Sequence, residues 1–491
     1  MGDLYAASDA IMYSGAASLV IAFLIIALIG KIIGCLVWFL LAAVTLSSLV
    51  LGYFLYDYGT NPEAYESTLS ETDSEYVTYF GYFWLGFGVL FFLVMFVLRD
   101  RIRIAVEVIK ESAHAVADMP MIMFFPLVPV VLAGAYMFYW IWGAAILYSV
   151  TVQTDGHEAP TNVLYWFAYE NDMFRNQNPD TYVINEFDSA QEYPAMWHFF
   201  HMLWVIQFLV YFCYLVFAGA TADWYFTYLD EETGKKKRGD GKFELSRFPL
   251  CAAFKRTFLH HLGTVAVCSL IIAIIQFIRA LVHYIESKTK GDPPNQAQEI
   301  LFKLFHCCLA CIECCADKIN KNALIWTAIF GDGFAKSACS SFKLILDNLG
   351  RVAAISVVSH LIIAVGKAFI GIFTALIGIT LILYFDPWAS NVNSVWLPGF
   401  VIFVLGYGVG SMFMAVFNGV IDCVFICFLV DDKFNKAEDS KKNIKMFASE
   451  KLRSLVNKNS KKSKKQAKKE RARKRRIKEA SGGGKVAPDE E

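Results

Sequence analysis

The sequence predicts an all-α, polytopic helical membrane protein, and three observations predict it. Of its 491 residues 56% are hydrophobic and only 18% are charged, against roughly half and a quarter in an ordinary globular domain. The apolar residues are gathered into runs long enough to cross the hydrocarbon core as helix, which takes about 20 residues. The same runs are far too long for the strands of a barrel, the only other architecture that satisfies its backbone in lipid. A simple cytosolic enzyme with an evenly mixed surface is excluded.

Eight runs are clear: 11–29, 32–56, 77–98, 120–149, 196–226, 257–285, 352–384 and 397–430. The first has no basic flank before it and no small-residue cleavage site after it, so it reads as a retained span rather than a signal peptide. Between the third and fourth runs, Arg101–Asp118 carries Ile102, Val106 and Ile109 at helical spacing with charges between them. That pattern predicts an interfacial helix along the cytoplasmic face.

Charge gives the orientation. The formal net charge is zero, yet residues 441–478 hold 18 Lys/Arg against Glu450 and Glu470, which leaves the rest of the chain at −16. Basic loops stay cytoplasmic, which places Arg99–Arg103, the 235–256 segment and the basic tail 431–491 inside. The 57–75 loop has six acids and no base, the 151–194 loop has eight acids and one base (Arg175), and both read as exterior. Eight spans threaded through these assignments strand the tail outside. A ninth crossing is therefore expected at 297–330, although Lys303, His306, Glu313, Asp317 and Lys318 hide it from hydropathy; a re-entrant or surface helix is the competing reading. The expected domains are a short exterior N-terminus (1–10), a multispan body (11–430) and a tail (431–491) that reads as disordered.

Ionisable groups inside spans are costly and point to function by default. Four stand out: Arg279, His360, Lys367 and Asp422. Asp422 shares a helical face with Asn418 and Ser411, and Lys367 with His360 and Ser356, so a Lys367–Asp422 ion pair is expected between neighbouring spans. A bridge that merely holds two helices together reads as well as a gating role. Tyr136, Tyr139 and Trp140 fall at i, i+3 and i+4, and Trp204, Gln207, Phe208 and Tyr211 fall on one helical face. Aromatic faces attract cations, but the same spacing serves ordinary packing or an interfacial belt, and spacing alone favours packing. Gly406 and Gly410 form a GxxxG, the spacing of close helix contact.

Twelve cysteines avoid the acidic loops, so no disulfide framework is expected. Cys307, Cys308, Cys311, Cys314 and Cys315 cluster on one helical segment; they read as palmitoylation candidates or packing residues rather than as half of a metal site. Phosphate-loop, nucleophile-elbow and HExxH motifs are absent. No enzyme activity, cofactor or metal is expected.

Several ordered segments resemble the choline transporter-like family. They are Arg99–Ala117 followed by Phe124–Leu127, Tyr139–Trp140, His201–Phe208, Ala218–Phe226, Gln276–Glu286, the Cys307–Cys315 helix, Asn320–Lys336, Gly366–Lys367 and Val420–Asp431. The resemblance covers roughly 10–430, and the ordered set is specific although no single piece is. It implies a plasma-membrane carrier of choline, or of ethanolamine, with about ten spans and cytosolic termini. Against that pattern, this sequence is expected to lack the family's usual first span and large glycosylated exterior loop. The resemblance also raises the aromatic-cage reading: Tyr136, Tyr139, Trp140 and Trp204 for the ammonium, Gln207 for the hydroxyl and Asp422 as counter-charge. A membrane scaffold whose basic tail docks on anionic lipid is the alternative from another class. Nucleic-acid binding reads poorly on a multispan chain.

Overall fold

The computed structural model describes residues 2–65, 71–125, 127–149, 152–155, 183–186, 189–228, 236–239, 244–289, 296–384, 392, 394–438 and 447–455. Eleven helices run through the described residues: α1 (Gly2–Ala6), α2 (Ser8–Thr60), α3 (Glu71–Asp118), α4 (Leu127–Ser149), α5 (Ser189–Tyr225), α6 (Pro249–His260), α7 (Leu262–Thr289), α8 (Gln296–Phe330), α9 (Phe334–Leu346), α10 (Leu349–Tyr384) and α11 (Trp396–Glu438). One antiparallel ribbon, β1 (Val152–Asp155) with β2 (Val183–Glu186), lies in the long acidic loop. The tail expected to be disordered from 431 is corrected at its start: residues 431–438 continue α11, and Ala448 and Leu452 are buried in the protein because Asp431 caps the 447–448 backbone. Residues 439–446 and 456–491, with most of that loop, fall outside the described residues.

Seven of the described helices are long and apolar enough to cross a membrane. They expose many large apolar side chains, such as Leu24, Leu28, Phe92, Phe96, Leu376 and Phe400. On a soluble protein so much contiguous apolar surface would be a liability; on a lipid-embedded helix it is the solvent-facing side. The helix over the crossing expected at 297–330, α8, is 35 residues and so about 52 Å long, enough for a crossing by length. Its charges keep it out of the apolar set.

The chain forms two compact units. Unit 1 comprises 1–123, 220–249 and 342–491, and unit 2 comprises 124–219 and 250–341. In unit 1, α2 and α3 lie antiparallel: a Cβ on Gly52 would come within 2.7 Å of the Leu85 backbone, and one on Gly30 within 2.9 Å of Ala113. Helices α10 and α11 pair the same way, and here the GxxxG behaves as its spacing predicts. A Cβ on Gly406 would meet Thr374 at 2.6 Å, and one on Gly410 would meet Ile370 at 3.0 Å. From Phe413 to Val430 α11 is buried on nearly every side, so its all-round apolar sequence belongs to a central helix. Ala7 and Ala10 pack on Ile382 and Ile402, which ties the N-terminal helix to the ends of α10 and α11.

Two sequence expectations are corrected in this unit. Runs 11–29 and 32–56 are a single uninterrupted helix, α2, 53 residues and about 80 Å long. The reason is local: Gly30 and Gly34 sit in an apolar run with no proline or turn pair, and Gly30 admits Ala113 rather than reversing the chain. One unbroken helix of that length cannot put both the N-terminus and the 57–75 loop outside, as the charge count required. Likewise, Arg101–Asp118 is no separate interfacial helix. It continues α3, and Ile102, Val106 and Ile109 are buried in unit 1. An amphipathic face fits a protein neighbour as well as a membrane surface, and spacing cannot choose between them.

A polar clasp closes one end of unit 1. Trp224 donates its indole N–H to Asp118 at 2.8 Å, and Lys236 lies 4.7 Å over the Trp224 ring while donating to the Tyr225 and Thr227 carbonyls. Desolvation pushes the Lys236 ammonium down to about 8, against the opposing pull of Glu111, Asp118 and Asp431. Asp431 accepts the backbone N–H groups of Phe447 and Ala448 at 3.0 and 3.1 Å, and Phe447 stacks on Tyr228. Arg351 pairs with Asp432 at 2.6 Å.

Candidate cation site

The aromatic and amide residues singled out by spacing lie mainly in unit 2, on α4 and α5. These two helices also run antiparallel, joined by reciprocal contacts. Tyr136 Oη lies 2.9 Å from His201 Nδ1. Trp140 donates to the His198 carbonyl at 3.0 Å, while His198 Nε2 lies 3.1 Å from the Trp140 carbonyl. The His198 ring stacks flat on Trp140, with centroids 5.1 Å apart and planes 7° apart. Gly143 lets that imidazole approach: a Cβ there would sit 3.0 Å from it. Tyr139 is 6.2 Å from Tyr136 but 68% exposed, on the outward side of α4.

The second face of α5 looks onto α7 and α8. Trp204 donates to Ser269 Oγ at 3.1 Å, with the Ala266 carbonyl at 3.3 Å. Its ring neighbours Phe200, which in turn meets Phe277 edge-on. Gln207 donates to Gln276 at 3.2 Å, Gln276 donates to Glu313 at 2.9 Å, and Arg279 donates to the other Glu313 oxygen at 2.9 Å. One turn along, Tyr211 donates to Asp317 at 2.8 Å and Lys321 bonds its second oxygen at 2.6 Å. Asn320 closes the seam on the Cys268 carbonyl at 2.9 Å.

This seam is a row of neutral and charged donors held between three helices. Each carboxylate receives one neutral donor and one cation, so its charge is met within the protein. Any other cation drawn to either carboxylate would compete with Arg279 or Lys321.

The other sequence-selected residues divide as follows. Arg279 is the partner of Glu313 in this seam. Asp422 and Asn418 belong to unit 1, on one face of α11, with the Asn418 amide 3.5 Å from the Asp422 carboxylate. Lys367 is half-buried on α10. His360 is exposed, and its Nδ1 lies 2.6 Å from the Ser356 carbonyl. Cys307, Cys308, Cys311, Cys314 and Cys315 are free thiols, all exposed along α8. Sequence reasoning missed His198, His201, Ser269, Gln276, Glu313 and Asp317 as partners. A signal was present: Glu313, Asp317 and Asn320 recur at four and three residues along α8, and Ser269 and Gln276 at seven along α7.

Unit 1 also holds a groove of about 760 Å³ between α2 and α3, lined by apolar side chains such as Leu41, Leu46 and Phe92, with Arg99 and Arg103 among them. Two guanidinium groups repel a cation, so the groove is a poor place for one.

Long apolar helices exposing lipid-type surfaces, with a part-exposed polar seam between three of them, define a multi-pass helical membrane protein. Within that class the chain belongs to the choline transporter-like family: the family model described as "Plasma-membrane choline transporter" matches residues 82–433. Choline transporter-like protein 2 of Dictyostelium discoideum is 31% identical over 367 residues, which cover 75% of this chain and 52% of that protein. Choline transporter-like protein 1 of Rattus norvegicus is 28% identical, covering 71% of this chain and 47% of its own length. Choline transporter-like protein 4 of Xenopus laevis is 28% identical, with coverage of 90% and 65%. The chain thus spans between about half and two thirds of the length of these curated relatives.

Proposed function

We propose that this chain moves choline, or a closely related organic cation, across the plasma membrane as a facilitative carrier driven by membrane potential. The observation that carries the reading is the α5 stripe Trp204–Gln207–Tyr211, set against the amide and carboxylate donors of α7 and α8 inside a family whose matching model is described as a choline transporter. Choline needs π-faces for its methyl groups and one hydrogen-bond partner for its hydroxyl. Tyr136, Tyr139, Trp140 and Trp204 of unit 2 are the proposed cage residues, set along two faces of α5, and Gln207 is the hydroxyl partner; Asp422, in unit 1, is proposed separately as an acidic group needed for uptake. Arg279, His360, Lys367 and Asn418 are the proposed polar gating groups. The exposed α8 cysteines are proposed palmitoylation sites, and the basic tail a cytoplasmic segment that docks on anionic lipid. Translocation needs no bond chemistry, and none is proposed. Inward movement of one positive charge gains about 2.3 kcal/mol per 100 mV of interior-negative potential, enough to concentrate the substrate without a coupled ion.

The test is uptake of labelled choline into vesicles carrying the purified full chain under an imposed interior-negative potential, with ethanolamine as competitor. A desolvated cation–π contact contributes about 2 kcal/mol, so Trp204→Ala should weaken half-saturation roughly thirtyfold. Asp422→Asn should lower uptake in parallel. Uptake indifferent to the potential would overturn the driving force, and unchanged Trp204→Ala kinetics would overturn the cage. Equal competition by ethanolamine would remove the preference for methylated ammonium.

A further inference from the structure

Away from the seam, the α7–α8 pair gathers two imidazoles and a carboxylate near the end where residues 290–295 join the helices. His283 and Glu286 stand three residues apart on α7 and therefore share a face. His306 reaches them from α8. Its Nε2 lies 2.7 Å from Glu286 Oε2, and His283 Nδ1 lies 3.8 Å from the same oxygen. The two imidazole rings stack with centroids 3.9 Å apart. One donor atom from each residue lies within 4.8 Å of the other two.

We propose that His283, Glu286 and His306 form a binding site for a divalent first-row transition metal of the zinc type. A tetrahedral ion with bonds of about 2.0–2.1 Å needs its donors about 3.3 Å apart. The separations from Glu286 fall on either side of that value, so rotations of about half an ångström at the side-chain ends bring them to it. A three-residue pair on one helix with an imidazole from the facing helix is how helical bundles hold metals. Two imidazole nitrogens and one carboxylate suit zinc, cobalt, nickel or copper, whereas calcium and magnesium call for oxygen shells. His306 Nδ1 is buried with no hydrogen-bond partner among the described residues, so the ring is held through Nε2, the atom offered to the ion. Three protein donors leave a fourth position for water or a small exogenous ligand.

Sequence spacing raised a metal site only for the cysteine run, and set it aside there; these three ligands escaped it because they lie on two helices, 20 residues apart between Glu286 and His306. A metal here ties α7 to α8 two helical turns from Glu313, so occupancy would restrain the relative movement of the helices that hold the polar seam. This inference stands independently of which solute the chain carries.

The experiment is titration of the detergent-purified full chain with Co²⁺ alone, read by visible absorption. One equivalent is expected, with d–d bands and without the thiolate charge-transfer band that the neighbouring Cys307 or Cys308 would add as ligands. His306→Ala and His283→Ala should each weaken binding at least about tenfold. The His283 side chain is 60% exposed, so His283→Ala keeps the test decisive should His306→Ala fail to fold. A thiolate band, or Co²⁺ affinity unchanged in His283→Ala, would overturn the assignment.

Discussion

Arg351→Ala should destabilise unit 1 far more than removal of any exposed charge. Arg351 stands in the first turn of α10 and Asp432 near the end of α11, so the pair closes one end of the antiparallel α10–α11 contact. Its Nη1 lies 2.6 Å from the Asp432 carboxylate, and the two side chains are only 18% and 6% exposed. The same guanidinium lies 3.4 Å from the Asn348 side-chain oxygen and 5.9 Å from the Phe428 ring centre. Deleting one partner of a buried pair leaves a desolvated charge behind and costs about 3–5 kcal/mol. Replacing both by apolar residues of similar volume, Arg351→Met with Asp432→Leu, removes both desolvation penalties and should recover most of that loss. The assay is equilibrium unfolding in mixed micelles, followed by tryptophan fluorescence and analysed as a double-mutant cycle. A single substitution costing less than about 1 kcal/mol would show the pair to be effectively solvated, against the burial that motivates the figure. A double variant no more stable than the weaker single would refute the charge argument and point to packing instead.

Lys236 gives a pH signature. Its folded value, about 8, lies below the ordinary 10.5, so between those limits the unfolded chain binds more protons. Its contribution to stability therefore rises with pH across that window. Lys236→Met should flatten the rise, and a profile that climbs as steeply in the variant would refute the assignment. The unbroken α2 predicts that tags inserted beside Tyr5 and Thr60 are protected on opposite faces of sealed vesicles. Protection on the same face would instead require a chain reversal near Gly30–Lys31, as the loop charges suggested.

Runs of apolar residues determined the class of this protein without help from the tertiary structure, because crossing lipid imposes a length and an apolar content that few other folds demand. The same reading found the α5 stripe, since Trp204, Gln207 and Tyr211 repeat with the helix, and the Gly406/Gly410 contact, since small residues one turn apart do little else in a membrane helix. It failed where one pattern serves two surroundings. Ile102, Val106 and Ile109 would suit a bilayer surface and are instead covered by protein; Gly30 would suit a turn and instead admits Ala113. Only the packed chain could show that Gln276, Glu313 and Asp317 receive the α5 stripe, or that His283, Glu286 and His306 meet. Periodicity reports which face of a helix a residue occupies, whereas the neighbour of that face is chosen by contacts between segments tens to hundreds of residues apart.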